Sequence, residues 1–285
     1  ISPLPLPIIS KEYIQKLQAK KVNALAMEYI QSDDGTYPIV RMMSEIAGMI
    51  AMLTGADLLT KARGGRGVLL GGISGVPPAK VVILGAGVVG EHATRAALGL
   101  GASVRIFDND IYKLMRLQNQ IGQALHTSAL NPVYLGYQLL SADVVLGAIH
   151  SKNGRAPVIV TEEMVSKMKN GAVIIDVSID QGGCFETSEV TTLKSPTFIK
   201  HGVTHYCVPN IASNVSRTAS ISISNIITPI LLKFSKTRDF AHLLYDKPGI
   251  RNGAYIFNGK LTNQYLAKRF DLKFTDLNLV LTSEF

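Results

Sequence analysis

From Lys80 to Val208 the chain alternates short apolar runs with stretches of helical character, and the first run ends in glycines spaced G-x-G-x-x-G. That run is Val81-Val82-Ile83-Leu84, followed by Gly85-Ala86-Gly87-Val88-Val89-Gly90. Gly85 suits a tight turn, Gly87 a close approach of backbone to a pyrophosphate, and Gly90 close packing of helix on strand. A diphosphate would rest on the N-terminus of the following helix, where free amides and the dipole favour an anion. A second run, Val104-Arg105-Ile106-Phe107, ends in Asp108, roughly 20 residues on, where a carboxylate can bond a ribose hydroxyl pair. The carboxylate would repel a 2′-phosphate, and Asn109-Asp110 add no cation, so NAD is expected rather than NADP.

Further apolar cores at Val144–Gly147, Val173–Val177 and Thr204–Val208 predict a parallel sheet covered on both faces. Ligands on such sheets bind beyond the carboxyl ends of the strands. Attention therefore falls on Asp108, Ile149-His150, Ile179-Asp180-Gln181 and Pro209-Asn210. Upstream, Lys11–Lys20 reads as a helix capped by Ser10, with Tyr13, Ile14 and Leu17 on one face, and Val22–Tyr29 as a buried strand. Asp33-Asp34-Gly35 reads as a turn, Ser44–Ala62 as a helix connecting two domains, and Gly64–Pro78 as a glycine- and proline-punctuated loop. Domain boundaries are expected at 1–40, 41–215 and 216–285.

With 285 residues, 47% hydrophobic and 18% charged, the chain has the makings of one large or two ordinary globular domains. Its net charge of +8 comes from dispersed cations without tryptophan or an aromatic-interleaved basic stripe, which argues against a nucleic-acid partner. Cys184 and Cys207 make no C-x-x-C or zinc spacing, so a reduced, cytoplasmic protein without a metal site is expected. No membrane span is expected, because Met42–Leu59 contains Glu45 and Asp57, and Ile221–Leu232 is short and interrupted by Asn225 and Pro229. A start at Ile1 with no charged leader reads as a chain entered mid-protein.

Among residues able to do chemistry, Asp180 follows a strand read as Val173–Ser178 and precedes paired glycines. It either faces a nicotinamide and exchanges a proton with a substrate amine, or closes an Asx-turn. Asp176, inside the strand, reads as a structural hydrogen-bonding residue. Asn210 either bonds a carboxamide or forms a turn, and Ser44 reads as the opening of its helix. Of His92, His126, His150, His201, His205 and His242, only His150 sits at the ligand edge, and none shows a metal or nucleophile spacing. Cys184 lacks a neighbouring base or cation that would make a thiolate.

Gly64-Gly65-Arg66-Gly67-Val68-Leu69-Leu70-Gly71-Gly72, the Gly85–Gly90 fingerprint, Asp176 through Glu186 and Tyr206-Cys207-Val208-Pro209-Asn210 together resemble the alanine dehydrogenase family. That family is related to the NAD-binding subunit of proton-translocating transhydrogenase. The resemblance implies a Rossmann-type doubly wound parallel α/β domain inserted into a discontinuous substrate domain, incomplete here. It implies NAD contacts at Ser44, Val88, Val89, Asp108, Lys113, Ile149, His150, Val177, Ser178, Ile179, Asp180, Val208, Pro209, Asn210 and Ile211, with Asp180 catalytic. It further implies oxidative deamination of L-alanine to pyruvate and ammonia, by hydride transfer to nicotinamide, in a homohexamer. The sequence departs from the family where the catalytic histidine belongs, reading Pro5-Leu6-Pro7. The substrate-binding Arg and Lys would lie before Ile1, and the serine near the adenosine moiety has no counterpart around Leu130. A chain missing its N-terminal segment is therefore expected to bind NAD with little alanine turnover. A dehydrogenase for another amino acid, or a non-catalytic NAD module like the transhydrogenase subunit, stands as the alternative.

Overall fold

The computed structural model describes residues 1–4, 9–151, 154–237 and 239–284; the Pro5-Leu6-Pro7 stretch lies outside them. It divides into two compact units, one built from Ile1–Met42 and Ser220–Phe285, the other from Met43–Ala219.

Along the chain, α1 (Lys11–Ala19) begins where Ser10 Oγ accepts the Tyr13 amide, as its sequence predicts. The strand expected over Val22–Tyr29 is only β1 (Ala24–Leu25), because the chain turns at Met27–Tyr29 into a 3₁₀ helix. Helix α2 spans Pro38–Leu58. It begins before Ser44, so that serine is not its N-terminal residue; Pro38, pre-set for a first helical turn, is the start signal. After the glycine-rich loop come β2 (Lys80–Leu84), α3 (Val88–Gly99), β3 (Ser103–Phe107), α4 (Ile111–Ile121) and β4 (His126–Ser128). Next are α5 (Pro132–Leu140), β5 (Val144–Gly147), α6 (Glu162–Ser166), β6 (Val173–Asp176), β7 (Thr197–Lys200) and β8 (Val203–Tyr206). Helix α7 (Ser216–Thr237) begins in the sheet unit and carries the chain back to the first, followed by α8 (Phe240–Asp246), α9 (Pro248–Arg251), β9 (Ala254–Phe257), β10 (Lys260–Leu261), α10 (Gln264–Phe270) and α11 (Leu277–Glu284).

The Met43–Ala219 unit is organised by a sheet of order β4-β3-β2-β5-β6-β8-β7, parallel throughout except for the antiparallel β7–β8 pair. Its central strands are apolar on both sides because both faces are covered. Val81 and Ile83 of β2 join a core with Ala93 and Ala97 of α3 and Leu114 and Leu117 of α4. Val82 and Leu84 point the other way, into a core with Leu135 and Leu139 of α5 and Val165 of α6. Each such Val, Leu or Ile side chain, fully removed from water, contributes about 1.5–3 kcal/mol. The chain order reverses between β2 and β5, which places a crevice beyond their carboxyl ends.

In the other unit, β1 pairs with β9 and β9 with β10, all antiparallel. Leu4, Ile14, Ala24, Tyr255, Ile256 and Leu266 pack on this small sheet. Two helical stretches, Pro38–Leu58 and Ile211–Ser235, are long and apolar enough to cross a membrane by length and composition, against the expectation that none is. The difference arises because α2 starts before Met42 and because α7 continues through Pro229. Ala47, Ala51 and Met52 of α2 nevertheless belong to the buried core.

Candidate dinucleotide site at the sheet crest

The turn between β2 and α3 is shaped by its glycines. Gly85 has φ +108°, and a Cβ there would lie 2.4 Å from the Ala148 carbonyl oxygen. A Cβ on Gly90 would lie 1.9 Å from the Gly85 oxygen, so helix and strand approach too closely for any side chain. Gly87 caps α3 with ordinary backbone angles, φ −75° and ψ −166°, and no side chain caps the helix. A Cβ on Gly87 would meet nothing within 4 Å. The first intrahelical bond runs from the Glu91 amide to the Gly87 oxygen, 2.9 Å. The amides of Val88, Val89 and Gly90 precede it and need an outside acceptor. An open cradle at an uncapped helix N-terminus fits a diphosphate.

Asp108 is buried, and its two oxygens are both engaged. Oδ2 accepts the Ala86 amide at 2.7 Å and Oδ1 the Asp110 amide at 2.8 Å. The carboxylate thus holds the glycine turn while each oxygen keeps a further lone pair for a ribose hydroxyl. From α4, Arg116 Nη2 donates to the Ala86 oxygen at 3.2 Å, a cation beside the turn that lies beyond the Asn109-Asp110 neighbourhood read in sequence. Lys113 sits in the first turn of α4, 4.0 Å from Asp110, whose carboxylate caps that helix.

Because β5, β6 and β8 are parallel neighbours, with Gly147 opposite Asp176 and Ile175 opposite Tyr206, three loops leave the sheet side by side. The first carries Ile149 and His150, the second Val177, Ser178, Ile179 and Asp180, the third Val208, Pro209, Asn210 and Ile211. Strand β6 ends at Asp176, so Val177–Gln181 is a 3₁₀ turn rather than strand. Ser178 Oγ accepts the Ile149 amide at 2.9 Å. Asp180 Oδ1 accepts the Asn210 amide at 2.9 Å and so steadies Asn210 in a left-handed conformation, φ 52°. Asp180 reaches solvent, yet the protein around it pushes its carboxyl above the usual range; the Asn210 amide opposes that shift. Val208 and Ile211 are buried beneath the crest. Ser44 lies one helical turn before Gly48 on α2, and a Cβ on Gly48 would lie 2.4 Å from the Val89 oxygen. The Ser44 face of α2 therefore runs onto the first turn of α3.

Other candidates serve the fold. Asp176 is buried and accepts from the Cys184 amide at 2.9 Å and Ser188 Oγ at 2.6 Å; burial raises its carboxyl. Burial pushes the Cys184 thiol well above its usual value and the Cys207 thiol to about 11, so neither is a thiolate at neutral pH. His205 is buried between Thr187 Oγ1 at 2.8 Å and the Val203 oxygen at 2.9 Å, and burial depresses its imidazole. His92 faces Glu45 at 3.7 Å, His201 faces Glu162 at 2.7 Å and His242 faces Asp246 at 3.2 Å. Among the described residues no group of three or more His, Cys, Asp or Glu could hold a metal ion. Gln181, which the sequence placed at the ligand edge without a role, bonds Ser151 across two loops through its side chain, a partnership that no local spacing announces.

A doubly wound sheet with a glycine turn, an uncapped helix and an acid at the next strand end defines a dinucleotide-binding domain of the dehydrogenase class. The family described as "Alanine dehydrogenase/PNT, C-terminal domain" matches residues 51–264. Alanine dehydrogenase 2 of Staphylococcus aureus strain USA300 is 39% identical over 261 residues, covering 91% of this chain and 70% of that protein. A solved L-alanine dehydrogenase superposes with TM-score 0.87 at 35% identity, over 92% of this chain and 72% of the other. The transhydrogenase from Sinorhizobium meliloti shares the fold, with TM-score 0.72 at 22% identity over 90% of this chain and 70% of that one. The chain belongs to the alanine dehydrogenase/PNT family, and its cofactor is NAD.

Proposed function

We propose that this chain acts in the NAD-dependent oxidative deamination of L-alanine to pyruvate and ammonia, with Asp180 as its catalytic residue. The observation that carries the reading is Asp180 itself, a carboxylate with a raised pKa at the crest of the parallel sheet, beside the glycine turn's crevice. NAD, when bound, supplies the two-electron acceptor. The amides of Val88, Val89 and Gly90 hold the diphosphate, Asp108 takes the ribose hydroxyls, and Lys113 and Ser44 flank the site. Ile149, His150, Val177, Ser178, Ile179, Val208, Pro209, Asn210 and Ile211 form its crest wall. Asp180 Oδ2, the oxygen not committed to Asn210, orients the substrate amine and holds or returns a proton during loss of ammonia.

Calorimetry with NAD and steady-state assays of the gene product with L-alanine and NAD test this. Asp180→Asn keeps an acceptor for the Asn210 amide and should lower kcat about 10²–10⁴-fold with the fold intact. Absence of NAD binding, or full turnover in Asp180→Asn, sinks the reading. Since the base form is the active one, turnover falls as pH drops through the raised Asp180 pKa, and the acid limb lies above the ordinary aspartate range.

The Pro5-Leu6-Pro7 stretch, where the family resemblance calls for histidine, favours a second reading as an NAD-binding module without alanine turnover. NAD binding with no turnover of any amino acid would select it. We further place the protein in the cytoplasm as a homohexamer. The exposed Ile221, Leu231 and Leu232 of α7 support association, and sedimentation measures it.

A further inference from the structure

We infer that Gln181 is a positioning residue: its side-chain amide stitches the Ile149–Ser151 loop to the Asp180 turn and selects the form of His150 protonated on Nδ1. The inference rests on the crest loops lining the NAD site, as proposed above.

Three contacts define the stitch. Gln181 Oε1 accepts the Ser151 amide at 2.9 Å, and Gln181 Nε2 donates to the Ser151 oxygen at 3.0 Å. A side-chain amide here does what a neighbouring strand does, satisfying both backbone groups of one residue beyond the end of β5. The Gln181 backbone oxygen also accepts the Ala156 amide at 2.9 Å, so Ser151 and Ala156 are both anchored on one residue. The orientation of the Gln181 amide is fixed by this pairing. An N–H of Ser151 requires the oxygen on one side, and a carbonyl of Ser151 requires the nitrogen on the other.

That orientation has a chemical consequence for the neighbouring ring. Gln181 Nε2 stands 3.5 Å from His150 Nε2. Gln181 Nε2 can only donate, so in this contact His150 Nε2 presents its lone pair, and a neutral ring in this arrangement carries its proton on Nδ1. Protonation of Nε2 would set two N–H groups against each other. Gln181 therefore fixes where the loop lies and which ring nitrogen of His150 carries hydrogen.

The test uses the full 285-residue chain with Gln181→Met and Gln181→Glu. The ¹⁵N NMR signature of His150 in the wild type should show Nδ1–H; in Gln181→Met that preference is lost. In Gln181→Glu the carboxylate accepts from the ring and moves the proton to Nε2. Exchange of the Ser151 amide should accelerate about tenfold in Gln181→Met, and the NAD Kd should rise about tenfold. Wild-type tautomer and wild-type Ser151 exchange in Gln181→Met would overturn the inference. Should that variant not fold, an Nδ1–H ring in Gln181→Glu overturns it equally. Failure of the wild type to bind NAD would count against the proposed function instead, since the tautomer and exchange measurements judge Gln181 in the protein without cofactor.

Discussion

Replacing Asp108 by alanine should cost the protein stability before any cofactor is added. In a binding site built only for a ribose, that carboxylate would point at the ligand and its removal would be neutral in the free protein. Here it accepts the Ala86 amide at 2.7 Å and the Asp110 amide at 2.8 Å. Both bonds are to an ionised acceptor, each worth about 1.5–3 kcal/mol, and the Ala86 amide is left buried without an acceptor. Some return of water to the Asp110 side reduces the total, and about 3 kcal/mol is expected. At about 2–4 °C per kcal/mol for a unit of this size, the melting temperature falls by about 6–12 °C. Asp108→Asn keeps one acceptor oxygen and should lose about half as much. Differential scanning calorimetry of the three proteins without NAD reads this directly. A melting temperature for Asp108→Ala within about 1 °C of wild type would refute the claim that the carboxylate holds the turn.

Gly87→Ala should show the opposite pattern. Its φ of −75° suits alanine and its Cβ meets nothing within 4 Å, so calorimetry should find stability unchanged while NAD affinity drops as the methyl enters the cradle. His205 is held neutral by burial, with its folded pKa depressed. It therefore contributes stability above its unfolded pKa of about 6.5, lost as pH falls from there through the folded value. His205→Gln should flatten that part of a urea-stability profile between about pH 7 and 5. Cys184 and Cys207, buried with raised pKa values, should resist alkylation at pH 8 in the native protein and react on denaturation, as mass spectrometry would record.

Strands buried on both faces were legible in the sequence. Val81–Leu84 and Val144–Gly147 are continuous apolar runs because no side of β2 or β5 meets water. Edge strands were not legible for the same reason in reverse. His126–Ser128 and Thr197–Lys200 are only partly buried, so β4 and β7 carry no apolar run to find. At the site, Gly85 and Gly90 announced themselves because their close approaches admit no side chain, whereas Gly87 is free of contacts and keeps its cradle open. Ser44 was misplaced at a helix start because serine is a good cap, whereas Pro38 begins the helix. Asp108's grip on Ala86 and Gln181's grip on Ser151 are contacts across the fold, and their partners cannot be named until the strands are laid in order.

The pairing of Ala24 with Ile256 and Leu25 with Ala254 also sets a timetable for synthesis. Roughly 230 residues must be added after β1 before its partner strand exists, and closing so long a free coil is entropically costly. The sheet unit of Met43–Ala219 is finished earlier and, once folded, shortens the coil that must close. At elongation rates of about 5–20 residues per second, Ile14, Ala24 and Leu25 wait on the order of 10–45 s without their partners in the folded core. A nascent chain of this design should therefore present its N-terminal apolar residues to chaperones for that interval, and an arrest after about residue 219 should leave a folded sheet unit trailing an unfolded N-terminal arm.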